Sequence, residues 1–232
     1  MRVPTVIKSC PTRRILAFRR QPLDITLPVG DMTILPLGLT PVVRSEAQHY
    51  LSQRPSLLVL RGDLAALAAG IHACLGAQTP ALAEDVLSLA RLYADTIRRD
   101  VLRIRLEQVV TDSCRKFHVD HLALRLLRSY VGPGLQWTRD GGEEVHDTPP
   151  EALVILAGTA HPEWSELCTV RHRSPPLSAA QRRAGGRLLL TIDETDLGPD
   201  DLGTEDGTGN PLSPEQRALW DLANWGDGRV RH

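Results

Sequence analysis

Lysine is almost missing from this sequence. Lys8 and Lys116 are the only two, and arginine supplies the rest of the positive side-chain charge. Together with the abundance of alanine and leucine, this reads as the composition of a GC-rich bacterial genome rather than as a functional selection. Cysteine is sparse and scattered: Cys10, Cys74, Cys114 and Cys168 form no C-x-x-C pair. That excludes a disulfide framework and a thiolate zinc knuckle. No apolar h-region follows Met1, and no run reaches the roughly 18 apolar residues of a membrane span, so neither a signal peptide nor a transmembrane helix is expected. A reducing cytoplasm is the expected compartment. An excess of one charge is also lacking. The net charge of −1 gives no electrostatic footprint for nucleic acid or an anionic membrane, and neither is expected as a partner. No G-x-S-x-G elbow, Walker loop or G-x-G-x-x-G turn occurs, and there is no internal repeat.

What is present is an ordinary globular composition, 42% hydrophobic and 24% charged over 232 residues. A chain of this length buries roughly 70–75% of its unfolded surface. The N-terminal stretch is basic up to Arg20, and the first acid is Asp24. It reads as a solvated arm. The prolines of "ILAFRRQPLDITLPVGDMTILPLG" predict short extended pieces. A helical section follows. "DLAALAAGIHACLGA" predicts a helix starting near Asp63, with His72 as a packed core histidine. "TPALAEDVLSLARLYADTIRRD" predicts a longer helix, with Thr79 as cap, Pro80 in the first turn, and Leu82, Val86, Leu89, Leu92 and Ile97 as its apolar stripe.

From Val101 the period changes to two. Leu102, Ile104 and Leu106 alternate with Arg103, Arg105 and Glu107, the pattern of a half-buried strand. "LALRLLRSYV", "EALVILAG", "CTVRHR" and "GRLLLTID" predict further strands, separated by turn-rich segments that include Gly132-Pro133-Gly134 and "SPPLSAAQRRAGG". Helices followed by short strands predict an α+β chain built on a β-sandwich or barrel. The expected organisation is an extended and helical layer over 1–100, a β core over 101–195, an acidic linker over 196–212 and a short terminal helix over 213–232, all in one structural domain. Ser213, Pro214 and Gln216 supply the capping signals of that last helix. The basic arm and the acidic segment also offer a protein-interaction reading without metal.

The chemistry concentrates in "KFHVDHLALRLLRSYVGPG". If "FHVD" is extended, His118 and Asp120 project to one side and His121 to the other. An imidazole and a carboxylate on one face are two ligands for a divalent metal, and a third from another strand completes a two-histidine, one-carboxylate facial triad of the kind that holds non-haem Fe(II). His172, in "TVRHRSPP", is the first choice for that third ligand and His161 the second. Arg187 heads the following strand. Its fork suits the far carboxylate of a 2-oxo acid such as 2-oxoglutarate. Competing readings remain at this point. His118 and Asp120 could pair without metal, His172 could lie exposed between Arg171 and Arg173, and Arg187 could pair with Asp193 or Glu194. In a helical turn His118 and His121 would be neighbours and suit zinc. His146 reads as a solvated loop residue. Cys114 could serve as a nucleophile or fourth ligand but reads as a buried structural thiol.

"CRKFHVDHLALRLLRSYVGPGLQW", "VRHRSPP" and "RLLLTID" together resemble the bacterial family called domain of unknown function 1826 (DUF1826). That family's block ends G-P-G-T, whereas Leu135 follows Gly134 here. The resemblance implies a role in bacterial metal homeostasis, with zinc as the metal. The order His118-x-Asp120, His172, Arg187 is similar, more distantly, to the Fe(II)/2-oxoglutarate dioxygenases. That similarity implies a double-stranded β-helix (jelly-roll or cupin-like) core behind an N-terminal helical layer. It further implies Fe(II) on His118, Asp120 and His172, 2-oxoglutarate on Arg187 with Tyr130 in support, and hydroxylation of a small-molecule or protein substrate. A non-catalytic zinc-binding cupin is the alternative.

Overall fold

The structure is a computed structural model that describes residues 31–111, 115–139, 141–162, 164 and 170–194. The basic N-terminal arm, the acidic segment, the terminal helix, Cys10, Cys114 and Cys168 lie outside the described residues. Three helices come early: α1 (Pro41–Ser52), α2 (Leu64–Ile71) and α3 (Pro80–Ile97). Asp63 caps α2 as its position predicts, its Oδ1 accepting from the Ala66 N–H at 2.8 Å. A π-helical turn, His72–Gly76, extends α2 toward α3. Two sequence expectations are corrected here. His72 is exposed rather than packed, with Nε2 2.9 Å from Glu84 Oε1. Thr79 does occupy the N-cap position, but its hydroxyl donates to the Leu75 carbonyl. The free Leu82 N–H is satisfied instead by Glu46 of α1, at 2.8 Å, so the start of α3 is tied to a neighbouring helix.

Helix α1 is absent from the sequence reading although its signals are present. Thr40 and Pro41 start it, and Val43, Ala47 and Leu51 recur every fourth residue as its buried stripe. "SPPLSAAQRRAGG", read as a turn, also contains a short helix α4 (Ala179–Arg183), closed by a capping box between Ser178 and Gln181.

Among the described residues, nine strands make two antiparallel sheets. In chain order they are β1 (Met32–Leu35), β2 (Leu58–Gly62), β3 (Leu102–Val109), β4 (Leu124–Val131), β5 (Gln136–Thr138), β6 (His146–Asp147), β7 (Leu153–Ala157), β8 (Arg171–Arg173) and β9 (Arg187–Glu194). The large sheet runs β1-β7-β4-β9-β3-β2 and the small one β6-β5-β8. The architecture is α+β: a jelly-roll core with an N-terminal helical layer against one face of the large sheet.

Strand parity sorts the side chains. Leu102, Ile104, Leu106, Leu126, Tyr130, Leu188, Leu190 and Ile192 face the helices and pack with Leu67, Leu82, Val86 and Tyr93 in the main core. Each fully buried Leu, Ile or Val contributes about 1.5–3 kcal/mol, so this face carries most of the stabilisation. The opposite face looks toward the small sheet. It carries Arg105 and Glu107 from β3, Arg125, Leu127 and Ser129 from β4, and Arg187, Leu189 and Thr191 from β9. The charged face of β3 therefore does not point to open water, as its alternation alone suggests. It walls a cavity between the sheets. No helix among the described residues is long and apolar enough to cross a membrane.

Candidate metal centre

His118 lies in an extended stretch ahead of β4. It forms an isolated antiparallel bridge with His172 of β8. The His118 N–H donates to the His172 carbonyl at 3.1 Å, and the His172 N–H donates back at 2.9 Å. Directly opposed residues of an antiparallel pair project to the same side, so the two rings meet with centroids 4.5 Å apart. Asp120, two residues on, shares that side. His172 Nε2 is 3.4 Å from Asp120 Oδ2, and His118 Nε2 is 3.7 Å from Oδ1. Each residue offers one ligand atom within 4.8 Å of the other two. The triad expected from spacing is thus brought together from segments more than fifty residues apart.

The donors fit a divalent cation in three respects. The ring Nδ1 of His118 lies 2.9 Å from the Lys116 carbonyl. A carbonyl only accepts, so Nδ1 carries the proton and the Nε2 lone pair is left for a ligand. His172 is 8% exposed, and burial pushes its pKa down to about 4 against the opposing pull of Asp120, so the imidazole is neutral and able to donate its lone pair. Asp120 Oδ2 is buried without a hydrogen-bond partner. Leaving such an acceptor unpaired costs about 1–3 kcal/mol, a cost that a metal ion bound there removes.

Arg187 lies on the same cavity wall and is 1% exposed. Its Nη1 donates to Ser174 Oγ at 3.2 Å and its Nη2 to Ser129 Oγ at 3.0 Å, while Nε is buried and unpartnered. It pairs with neither of the acids offered by the sequence. Asp193 is held by Arg103 and Arg125, and Glu194 lies 3.6 Å from Arg99. Burial lowers the Arg187 pKa to about 10, with Glu107 pulling the other way. The aliphatic stem of Arg187 passes Gly132, where a Cβ would stand 2.8 Å from Arg187 Cγ. Apolar side chains of Leu127, Leu135, Val154 and Leu189 line the remaining wall.

Tyr130 is not brought to the cavity, and its assignment beside the oxo acid is corrected. Strand β4 spans Leu124–Val131 with a register shift against β9 between Ser129 and Val131, and Tyr130 stays on the helix face in the main core. The Tyr130 hydroxyl donates to Asp85 Oδ2 of α3 at 2.8 Å. Ser129, one residue earlier, takes the cavity position. Tyr130→Phe is expected to cost about 1–3 kcal/mol by removing a donor from buried Asp85, while ligand binding in the cavity stays unchanged. Chemical denaturation alongside ligand titration checks both halves.

The other histidines among the described residues fall outside the cluster. His121 points away as its parity requires and sits 2.6 Å from Thr159 Oγ1. His161 lies in the turn after β7, its N–H donating to the Gly158 carbonyl. His146 is not a free loop residue. It pairs in β6 and stacks on Trp137 with ring centroids 4.3 Å apart.

Sequence reasoning missed Arg125. Its Nη1 donates to Asp120 Oδ1 at 2.7 Å and its Nη2 to Asp193 Oδ2 at 3.1 Å. Arg103 grips Asp193 from the far side through two bonds of 2.8 and 3.0 Å. Burial works against the Arg125 charge, but Asp120 and Asp193 outweigh it and hold the pKa above its ordinary value. The signal in the sequence is faint: Arg125 and Asp193 fall within apolar-rich strand runs, whereas Arg103 simply alternates with the apolar residues of β3.

A sandwich with three such donors gathered in its inter-sheet cleft is a jelly roll with a candidate metal centre. By sequence the chain belongs to the family described as "Protein of unknown function (DUF1826)", which matches residues 43–193 and so takes in the whole site. Comparison with curated proteins gives no match. Among solved structures, a full-length Neurospora crassa protein in complex with alpha-KG is 14% identical, with a TM-score of 0.40, covering 81% of this chain and 80% of that one. The dioxygenase for auxin oxidation 1 from Arabidopsis thaliana, as its 2-oxoglutarate complex, is 17% identical, with a TM-score of 0.40, covering 74% and 84%. The C-terminally truncated apo form of the Neurospora protein is 21% identical, with a TM-score of 0.30, and covers 47% of this chain. Less than half of that truncated chain, 42%, is spanned.

Proposed function

We propose that the chain is an Fe(II)- and 2-oxoglutarate-dependent oxygenase that hydroxylates a small-molecule or protein substrate. The single observation that carries this reading is Arg187. Arg187 is buried, hydrogen-bonded to two hydroxyls and ion-paired to no carboxylate among the described residues, Glu107 on the same wall being held by Arg105, and such a guanidinium is destabilising unless a ligand supplies an anion. Its fork can bind a carboxylate through two parallel hydrogen bonds. A zinc-holding cupin would use the same histidines but gives this arginine nothing to do.

His118, Asp120 and His172 would hold the iron, which when bound supplies the reductive activation of dioxygen. Arg187 binds the far carboxylate of 2-oxoglutarate, and Ser129 and Ser174 keep the guanidinium aimed into the cavity. Leu127, Leu135, Val154 and Leu189 exclude water along the length of the oxo acid. Across the turnover, 2-oxoglutarate and dioxygen are consumed, succinate and carbon dioxide are released, and one oxygen atom enters a C–H bond of the substrate as a hydroxyl group.

Anaerobic addition of Fe(II) and 2-oxoglutarate is expected to give a weak visible charge-transfer band that neither gives alone. Tight stoichiometric zinc that resists exchange with Fe(II), together with no 2-oxoglutarate binding, would move the chain to the zinc-cupin reading.

A further inference from the structure

We infer that Arg125 is a positioning residue that makes Asp120 a one-oxygen metal ligand. The inference rests on the metal centre described above and concerns how the carboxylate is presented to it. The two oxygens of Asp120 have different surroundings. Oδ1 is taken by Arg125 Nη1 at 2.7 Å, whereas Oδ2 is buried, unpartnered and 3.4 Å from His172 Nε2. A free carboxylate can chelate through both oxygens. Here Oδ1, which lies 3.7 Å from His118 Nε2, is occupied by a guanidinium, and Oδ2 is left without a partner beside His172. A carboxylate limited in this way takes a single coordination position and leaves more of them open to a co-substrate.

The guanidinium is itself held in place. Nη2 reaches Asp193 Oδ2 at 3.1 Å, and Asp193 is fixed in turn by the two-bond grip of Arg103. The chain Arg103–Asp193–Arg125–Asp120 crosses β3, β9 and β4 on the cavity face, so the ligand takes its bearing from three strands of the large sheet. Asp120 itself lies in an irregular stretch before β4. An ammonium cannot replace this fork, because a compact point charge does not present two donors in fixed directions to two carboxylates.

Two effects oppose each other when Arg125 is removed. Losing a neighbouring cation makes Asp120 a stronger donor. Losing the anchor leaves a desolvated oxygen with nothing to bond, and the side chain turns toward water. The second effect dominates because outer-shell partners of metal ligands typically contribute about 10–100-fold in affinity.

The test uses Co(II) as the probe on the full chain, with Arg125→Met and Arg125→Lys. Binding is followed by titration, and the site is read from the visible d–d bands of the bound ion. Thermal denaturation of each metal-free protein sets a temperature at which all are folded. Arg125→Met is expected to bind Co(II) about 10–100-fold more weakly and with altered d–d bands. Arg125→Lys is expected to fall between that variant and the wild type. A purely structural role would lower the melting temperature and leave affinity and bands untouched. Wild-type affinity and bands in Arg125→Met, or in Arg125→Lys should the methionine variant not fold, overturn this inference alone. Failure of the wild type to bind Co(II) overturns the metal centre and this inference with it.

Discussion

If the proposed function holds, Arg187→Met is expected to weaken 2-oxoglutarate binding by orders of magnitude, spare the candidate metal centre and make the ligand-free protein more stable. The three effects have one origin. The guanidinium is buried with only the Ser129 and Ser174 hydroxyls as partners, and a pKa drawn down from 12.5 to about 10 by burial corresponds to about 3 kcal/mol of unfavourable desolvation. Methionine fills a similar volume without charge. Some of the gain is lost because two hydroxyls forfeit their donors, at about 1 kcal/mol each. A net rise of about 1 kcal/mol is expected, or about 2–4 °C in melting temperature for a protein of this size. For the ligand, losing a buried charged pair costs about 2–5 kcal/mol, and 2-oxoglutarate affinity should fall on the order of 10²–10³-fold. The stabilisation separates this prediction from a generic core mutation, which would lower the melting temperature. Calorimetric titration with 2-oxoglutarate and with Fe(II), beside a thermal scan of the apo protein, reads all three effects. Wild-type affinity for 2-oxoglutarate in this variant would remove the oxygenase reading, because no other observation demands the oxo acid.

The parts of the fold that depend on period were legible in the sequence. Strand β3 and helix α3 carry a clear period, and β4, β7 and β9 carry apolar-rich runs. The short strands β1, β2, β5 and β6 do not, because a few residues hold too little periodicity to stand out from a loop. The triad was legible because an H-x-D in extended chain fixes two side chains on one face whatever the tertiary structure does. Its third member was not fixed by local geometry. His172 joins because a single β-bridge pairs it with His118, and sequence spacing alone weighs His161 almost as well. Tyr130 shows the reverse case. Its side depends on whether β4 breaks before it, and a strand boundary is what the sequence specifies least. Arg125 and Asp193 were hidden for a related reason. Each looks like a surface charge in one dimension, and only the second sheet makes their face an interior.

The support beneath Asp120 extends to a residue whose importance no alternation could reveal. Gly158→Ala is expected to loosen the candidate metal centre. Gly158 follows β7 and lies against the backbone of the ligand-bearing stretch. A Cβ there would stand 2.2 Å from the Leu122 carbonyl oxygen and 2.5 Å from that of Asp120. Neither atom can rotate away as a side chain would. Both belong to a backbone pinned by hydrogen bonds from Gly158 N–H to the Ala123 carbonyl, Thr159 N–H to the Asp120 carbonyl and Ala160 N–H to the Leu122 carbonyl. Relief requires the 120–123 stretch to move out by about an ångström, the overlap implied by carbon–oxygen distances well inside contact. Overpacking of this kind costs about 1–3 kcal/mol, which a chain of this size can absorb and remain folded. The metal centre has less tolerance, because displacements of about 1 Å in a preorganised site can cost about 10²-fold. Gly158→Ala should therefore remain folded, melt several degrees lower and bind Fe(II) at least about tenfold more weakly. Circular dichroism and metal titration on one preparation separate the two effects. Wild-type metal affinity in a folded, destabilised variant would show that the Asp120 stretch can shift without disturbing its carboxylate, and the tight backbone approach would then be a matter of packing alone.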